Sequence, residues 1–287
     1  MTLFIDLRAT DAGGITAASA SVFEDGTTLV SPADFRSRVS GRHLLLATHG
    51  FNVNRRRGVE SLSQWGRAAA LNPKVLFVGV LWPGDAVLPI FVDYVFEGVE
   101  AIASGKLLGS FLNDYADVAD SLTFASHSLG ARMVLETIRW TRRPVREAVL
   151  MAAAIENNCL EREYADAARR VAETTVVAST QDLVLQLAFP IGNLVGQIVM
   201  HGEPYTRTAL GRHGVARPVP GSLSVDSWFA PDAWDYGHLD YLPSRGVNSP
   251  YPVPMPNPGP ESPVPTQQPE TPWKPTWSAG IVATKTP

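Results

Sequence analysis

The fold class follows from residues 121–140, SLTFASHSLGARMVLETIRW. The first five residues form an apolar run typical of a buried parallel strand, and the last ten have helical character. Between them lies SHSLG, residues 126–130, which matches the Gly-x-Ser-x-Gly motif except that serine replaces the first glycine. In that motif a tight strand-to-helix turn lifts the central serine hydroxyl above the sheet. The stretch therefore predicts a strand, a turn and a helix, with Ser128 presented at the turn.

The same alternation continues along most of the chain. Apolar runs typical of buried strands occur at residues 3–7, 18–23, 43–48, 75–81, 121–125, 148–154, 174–179 and 223–229. Helical stretches separate several of them, and Ser31-Pro32 has the form of an N-cap followed by proline in a first helical turn. Strands that alternate with helices form a mostly parallel sheet covered on both faces. The predicted fold class is α/β, with a mostly parallel central sheet flanked by helices.

Prolines set the predicted domain boundary. Beyond residue 242 the sequence is rich in proline, as in SPYPVPMPNPGP at residues 249–260. Proline lacks a backbone donor and favours extended conformations, so no helix or central strand is expected there. We therefore predict one α/β domain over residues 1–242 and a proline-rich, disordered or polyproline-like tail over residues 243–287. Such a tail could dock a protein partner.

The composition argues against several classes of function. The formal net charge is −4 at pH 7, without the basic balance typical of nucleic-acid binders, so no nucleic-acid partner is expected. The single cysteine, Cys159, excludes an intramolecular disulfide and a multi-cysteine metal site. Because no dinucleotide fingerprint, P-loop or metal-ligand cluster occurs, we expect no cofactor and no metal. The N-terminus lacks a secretory signal pattern, which predicts a cytoplasmic location.

Two apolar stretches, residues 87–96 and 183–200, raise the question of a membrane segment. The second contains Gln186, Pro190 and Asn193, whereas a spanning helix needs about 20 mostly apolar residues. No transmembrane span is therefore predicted. Both stretches follow strands whose carboxyl ends should face Ser128. They are expected either to wall an apolar substrate pocket or to cover the sheet as core helices.

Ser128 can act as a nucleophile only with a base and an acid beside it. A histidine must accept the hydroxyl proton and a carboxylate must orient the imidazole, and with this turn the chain order is serine, acid, histidine. That order leaves His201, His213 and His238 from the six histidines. We favour His238, because it follows the last predicted strand, where a loop can return over the sheet. The alternative role of Ser128 is to cap the helix that follows it.

The acid is selected by its position at a strand end. Asp182 directly follows a predicted strand, at the carboxyl edge where sites form in α/β sheets. Its alternative role is to cap the next helix. Asp235 is the second candidate because it lies close to His238 in sequence, as does Asp232, while Asp226 falls inside the last predicted strand.

The oxyanion of the tetrahedral intermediate needs two N–H donors. They are expected from the residue after the nucleophile and from the loop after the third predicted strand, which are Leu129 and Phe51. The strand at residues 43–48 ends at His49-Gly50, as this arrangement requires. We expect the His49 side chain to brace this loop.

Taken together, these segments resemble a largely uncharacterised family of bacterial α/β-hydrolases whose members carry a strand ending in His-Gly-Phe-Asn. The matching segments are HGFN at 49–52 with Arg55, WPG at 82–84, SHSLG at 126–130 with Arg132, STQDLVL at 179–185, LGR at 210–212 and SVD at 224–226. The resemblance covers roughly residues 43–242. It implies an α/β-hydrolase fold, an esterase or lipase-like activity, and Ser128, Asp182 and His238 as the triad, in agreement with the chain order.

Three functional hypotheses follow. The first is a serine hydrolase that cleaves a carboxylic ester of a small molecule with an apolar portion, through an acyl-enzyme on Ser128. The second is a catalytically silent α/β-hydrolase scaffold that binds a partner through its tail. The third is an acyltransferase that uses the same acyl-enzyme with an acceptor other than water.

Overall fold

The structure of the protein is a computed structural model that describes residues 1–11, 14–69, 71, 73–85, 90–187, 208–216, 221, 223–232 and 236–241, with the backbone alone for residues 90–97. The predicted tail lies outside these ranges, and so do the alternative site residues His201 and Asp235. Most of the apolar stretch at residues 183–200 and part of the stretch at residues 87–96 also lie outside them. The domain boundary at residue 242 stays a prediction.

Nine strands of the described residues form one sheet. They are β1 (Leu3–Arg8), β2 (Thr16–Glu24), β3 (Thr28–Val30), β4 (His43–Thr48), β5 (Val75–Leu81), β6 (Ser121–His127), β7 (Val145–Met151), β8 (Val171–Ala178) and β9 (Val225–Phe229). Their order across the sheet is β3-β2-β1-β5-β4-β6-β7-β8-β9. The pairs β1–β2 and β2–β3 are antiparallel, and the other six pairs are parallel. The carboxyl ends of β4, β5, β6, β7 and β8 therefore meet at one edge.

Six helices with defined bounds accompany the sheet within the described residues. They are α1 (Pro32–Val39), α2 (Arg55–Ala68), α3 (Ile90–Tyr115), α4 (Gly130–Trp140), α5 (Ala165–Ala168) and α6 (Leu210–His213). Helix α1 starts at the predicted cap, because the Ser31 hydroxyl accepts a hydrogen bond from the Asp34 amide at 3.1 Å. Among the described helices, none combines the length and apolar character that crossing a membrane requires.

The two faces of the sheet carry separate apolar clusters. Successive residues of β4 alternate between them, so that Leu44 and Leu46 join one cluster and Leu45 joins the other. The first cluster includes side chains of α1, α3 and α4, and the second includes Leu62 and Trp65 of α2. Burial on both faces explains why the parallel strands read as continuous apolar runs. This mostly parallel sheet with helices on both faces confirms the predicted α/β fold class.

Strands β3 and β7 differ most from the sequence prediction. Strand β3 was not predicted, because it is a three-residue edge strand with two exposed side chains and has no apolar alternation. Strand β7 runs from Val145 to Met151, whereas the apolar run predicted residues 148–154. Charged Arg146 and Glu147 interrupt the apolar pattern at its start. At its end, Ala152 turns the chain out of the strand with a φ of 44°.

Candidate active site

Ser128 lies at the sharp turn between β6 and α4. Its φ is 53°, in the left-handed region that residues other than glycine adopt at an energetic cost. The residue at the N-cap position of α4 is Leu129, and no side chain caps this helix. Because the Ser128 hydroxyl is hydrogen-bonded elsewhere, the structure does not support the alternative role of Ser128 as a helix cap. The strand, turn and helix predicted for this stretch are confirmed.

The segment after β7 holds this turn in place. The Ser128 amide donates to the Met151 carbonyl at 2.9 Å, and the Ala154 amide donates to the Ser128 carbonyl at 3.2 Å. Ser126, at the position of the missing first glycine of the motif, is fully buried, and its hydroxyl lies 3.4 Å from the Val149 carbonyl. A serine side chain is therefore accommodated at this position.

The structure brings the three side chains of the predicted triad together. His238 Nε2 lies 2.9 Å from Ser128 Oγ, and His238 Nδ1 lies 2.8 Å from Asp182 Oδ2. An ionised carboxylate only accepts, so Nδ1–H donates to Asp182 and Nε2 is left to accept the Ser128 hydroxyl proton. This is the hydrogen-bond order that nucleophilic activation of a serine requires.

Asp182 makes the hydrogen bonds that both of its suggested roles require. Its carboxylate is fully buried, with Oδ2 facing His238 and Oδ1 accepting the Leu185 amide at 2.9 Å. That second bond caps the helical turn at residues 183–187. The Asp182 carbonyl also accepts from Arg212 Nη1 of α6 at 2.9 Å. One carboxylate oxygen is thereby held by a backbone amide and the main chain by Arg212, which leaves the other carboxylate oxygen for the imidazole.

The other predicted candidates have different surroundings. Asp232 accepts a hydrogen bond from the Thr180 hydroxyl, and Asp226 accepts one from the Ser227 amide. His213 ends α6, where burial lowers its pKa. The structure thus brings His238 and Asp182 to Ser128, and no hydrogen bond joins the three other residues to it within the described ranges.

The loop that carries His238 is tied to the end of β8. The Ser179 hydroxyl donates to the Tyr236 carbonyl at 2.7 Å, and the Gly237 amide donates to Asp240 Oδ2 at 2.7 Å. The rings of Tyr236 and Tyr241 pack edge to face with centroids 5.4 Å apart. Burial raises the pKa of Tyr236 to about 12, so this phenol stays neutral. These contacts position the imidazole over the carboxyl edge of the sheet.

Sequence reasoning gave no role to His127, the residue before the proposed nucleophile. The side chain is buried, and its Nε2 lies 2.7 Å from the His238 carbonyl oxygen. Burial, and secondarily the neighbouring His238, lowers the pKa of His127 to about 3. The contact joins residues that are 111 positions apart, so only the folded chain reveals it.

The loop after β4 lies against Ser128. A Cβ atom placed on Gly50 would come within 2.8 Å of Ser128 Cβ and within 2.9 Å of His127 Nδ1, so only glycine fits there without movement. Phe51, a predicted oxyanion donor, follows directly. For the Leu129 amide, the other predicted donor, no hydrogen-bond acceptor occurs within the described residues. Asn52 continues the loop with a φ of 60°.

His49 and Trp82 hold the loop after β4 in place. His49 Nδ1–H donates to the Gly50 carbonyl at 2.9 Å, and the Trp82 indole N–H donates to the His49 carbonyl at 2.9 Å. The two rings stack with centroids 5.8 Å apart. Burial lowers the pKa of His49 to about 4, which keeps it neutral. The predicted bracing role of His49 is confirmed.

A buried ion pair secures the segment that follows β5. Arg8, at the end of β1, donates from Nη1 to the Trp82 carbonyl at 2.9 Å and forms a salt bridge with Asp85. The Gly84 carbonyl in turn accepts from the Asn52 and Val53 amides of the loop after β4. The WPG segment is therefore a structural support for the loop beside Ser128.

The predicted walls of an apolar pocket fall largely outside the described residues. Of the stretch at residues 183–200, only residues 183–187 are described; Leu183, Val184 and Leu187 are exposed there, whereas Leu185 is buried. Leu239, next to His238, is exposed as well. These exposed apolar side chains adjoin the triad residues in sequence. No cluster of three or more metal-ligating side chains occurs in the described part of the chain.

Comparison with known proteins identifies the family. The model of the family described as alpha/beta hydrolase of unknown function (DUF900) matches residues 32–226, whereas no curated protein matches the chain. One similar solved structure is an acetyl xylan esterase 1 from Thermoanaerobacterium sp. JW/SL YS485, which is 13% identical over 72% of both chains with a TM-score of 0.39. Another is a carboxylesterase from Mesorhizobium loti, which is 18% identical over 71% of this chain and 84% of that chain with a TM-score of 0.34. Similarity this low carries no information about the substrate. Since the family model spans most of the chain, the protein belongs to the DUF900 family of α/β-hydrolases.

Proposed function

We propose that this protein is a serine hydrolase that cleaves a carboxylic ester through an acyl-enzyme on Ser128. The observation that carries the proposal is the hydrogen-bonded series from Ser128 through His238 to the buried Asp182. A second supporting observation is that the Ser128 backbone adopts the left-handed region at the turn between strand β6 and helix α4. A helix cap or a surface serine needs neither feature.

In the proposed reaction His238 accepts the Ser128 hydroxyl proton at Nε2 as Oγ attacks the ester carbonyl carbon. Asp182 holds the imidazole in the tautomer that leaves Nε2 free and stabilises the imidazolium that forms. The imidazolium then protonates the leaving alkoxide, which departs as the alcohol. A water molecule, deprotonated in turn by His238, hydrolyses the acyl-enzyme and regenerates Ser128.

The amides of Leu129 and Phe51 are the proposed donors to the oxyanion. Support for Leu129 comes from its position after the nucleophile at the start of α4, where amide groups point outward from a helix N-terminus. Support for Phe51 comes from the close approach of Gly50 to Ser128. We also propose that the chain belongs to the His-Gly-Phe-Asn group of these hydrolases, because residues 49–52 carry that sequence in the loop after β4.

The proposed substrate is a small-molecule ester with an apolar portion. Exposed Leu183 and Leu187 follow Asp182, and exposed Leu239 follows His238, which supports apolar contacts close to the reacting bond. Acyl transfer would use the same acyl-enzyme, and product analysis with competing alcohols separates it from hydrolysis. A protein partner for residues 243–287 is a further proposal that rests on the sequence alone.

Turnover of p-nitrophenyl acetate, butyrate and octanoate by the purified protein tests the proposal. We expect Ser128→Ala to remove all but background activity, and Asp182→Asn to lower kcat by roughly 10⁴-fold because the imidazole then takes the wrong tautomer. Ser126→Ala is the matched control and should retain activity, since its hydroxyl faces the Val149 carbonyl. A folded wild type without ester turnover, or a Ser128→Ala variant with wild-type turnover, contradicts the proposal.

A further inference from the structure

The His127 side chain has no part in the proposed reaction, yet it is almost fully buried beside the triad, with 3% of its surface exposed. Its ring lies 4.9 Å from the His238 ring, centroid to centroid, at an interplanar angle of 58°. Nε2 lies 2.7 Å from the His238 carbonyl oxygen, which can only accept. Nε2 therefore carries the proton, and the hydrogen bond fixes the tautomer of His127.

The opposite side of the same ring faces the loop after β4. A Cβ atom on Gly50 would lie 2.9 Å from His127 Nδ1 and 3.2 Å from the His127 carbonyl oxygen. The imidazole thus fills the space between the loop that carries His238 and the loop that carries Phe51. One rigid side chain touches both elements whose placement the reaction needs.

The neutral state of His127 suits a residue in this place. Burial keeps the ring uncharged, so it donates one hydrogen bond without adding a positive charge beside His238. A lysine or arginine donor at this distance would oppose the charging of His238, because like charges in a buried site disfavour each other. A neutral donor orients the base without that electrostatic cost.

We propose that His127 is a positioning residue for the reaction. It orients His238 through the His238 backbone carbonyl and holds the loop after β4 at Gly50. The inference rests on the proposed function for its kinetic consequences. Ser179 performs a similar task on an earlier part of the same loop, where its hydroxyl donates to the Tyr236 carbonyl. His127 differs in acting on His238 itself.

Removal of the donor should affect the chemical step more than substrate binding. In His127→Leu the His238 carbonyl loses its buried donor, and a displacement of the imidazole by about 1 Å can cost on the order of 100-fold in rate. We expect kcat to fall by about 10- to 100-fold. KM should stay within about 3-fold of wild type, because the His127 ring is buried beside the triad and is not exposed to substrate. His127→Gln retains an N–H at a similar distance from the main chain and should recover most of the lost kcat.

The experiment measures kcat, KM and the rate of fluorophosphonate labelling for wild type, His127→Leu and His127→Gln, with folding checked by circular dichroism. His43→Leu is the matched control: this partly buried histidine starts β4 at the opposite edge of the sheet and hydrogen-bonds Ser121. Its kcat should equal that of wild type. Wild-type kcat in His127→Leu, or equal losses in folded Leu and Gln variants, overturns the inference.

Two further measurements keep the test decisive. If His127→Leu does not fold, His127→Asn replaces it, because its shorter amide cannot span to the His238 carbonyl; equal kcat for the Asn and Gln variants then contradicts the inference. Imidazole ¹⁵N NMR reads the tautomer independently of activity. A neutral Nε2–H form at pH 7 supports the hydrogen bond, and an Nδ1–H or protonated form overturns it. Absence of Ser128-dependent turnover in wild type contradicts the proposed function alone.

Discussion

Ser128 adopts an unfavourable backbone conformation at the point where its hydroxyl meets His238. Such residues cost of order 1–3 kcal/mol each and persist only where the surroundings fix them. Asn52 and Ala152 also have positive φ, and both follow strands at the same edge of the sheet as Ser128. Backbone strain is thus concentrated around the candidate site, where hydrogen bonds from Ala154 and to Met151 hold the turn.

Gly50→Ala should impair the reaction while the fold remains intact. The added methyl group would lie 2.8 Å from Ser128 Cβ and 2.9 Å from His127 Nδ1, which forces the loop and the nucleophile apart. We expect kcat/KM for ester turnover to fall by about 100-fold or more. Gly221→Ala is the control, because a Cβ atom there meets no atom of the described residues within 4 Å. Equal activity of the two variants would rule out this close contact.

Acid should destabilise the protein through His49 and His127. Burial lowers their folded-state pKa values to about 4 and about 3, whereas both titrate near 6.5 when unfolded. Below pH 6.5 the unfolded chain therefore binds more protons, and the free energy of unfolding decreases as the pH falls towards 4. Between pH 7 and pH 5 the loss should be about 2 kcal/mol for each histidine.

Urea unfolding at these two pH values measures that loss. In His127→Gln one titrating group is absent, so the difference between pH 7 and pH 5 should shrink by about 2 kcal/mol. His213→Gln serves as a comparison, because this histidine is more exposed than His127. An unchanged pH dependence in His127→Gln would show that His127 is not held neutral.

Among the elements, α3 and α4 approach each other closely because α3 carries glycine at the contact. A Cβ atom on Gly105 would come within 2.6 Å of Glu136 Cβ and within 2.7 Å of the Met133 carbonyl oxygen. Since α4 begins directly after the turn at Ser128, its packing on α3 helps to fix the proposed nucleophile. Gly105 of α3 therefore helps to fix the position of Ser128 through the packing of α4.

Two alanine substitutions on the same helix separate packing from helix propensity. Gly105→Ala should destabilise the protein by about 1–3 kcal/mol, because the methyl group overlaps the α4 backbone. At Gly98 a new methyl group meets no described atom within 4 Å, so Gly98→Ala should stabilise the protein by about 0.5–1 kcal/mol. Thermal denaturation distinguishes them, and shifts of equal sign would contradict the packing described for α3 and α4.

Over the whole molecule, the sequence predicts best what is local or what chain order constrains. Strands β4 and β5 are predicted to the residue because burial on both faces makes them continuous apolar runs. Chain order after Ser128 limits the candidates, and their positions after predicted strands single out Asp182 and His238. The role of His127 could not be predicted, since its hydrogen bond to the His238 carbonyl depends on a loop over 100 residues away. Charged residues within β7 likewise concealed the start of that strand.

The predicted boundary after residue 242 can be tested on the whole chain. Deletion of residues 243–287 should leave the thermal midpoint and ester turnover close to wild type, because the described fold and the triad need only residues 1–241. Full-length protein is the reference in both measurements. A deletion variant that is unfolded or inactive would show that the proline-rich segment belongs to the folded unit.

The nucleophilic character of Ser128 is the property on which the proposed function depends most. A fluorophosphonate probe transfers its phosphonyl group to an activated serine Oγ with loss of fluoride, and peptide mass spectrometry locates the adduct. We expect one adduct, on Ser128 and not on neighbouring Ser126. It should be absent from Ser128→Ala, and its formation should be greatly slowed in a His238→Ala variant. Folded wild-type protein that stays unlabelled, or an adduct that persists in Ser128→Ala, would contradict the proposed function.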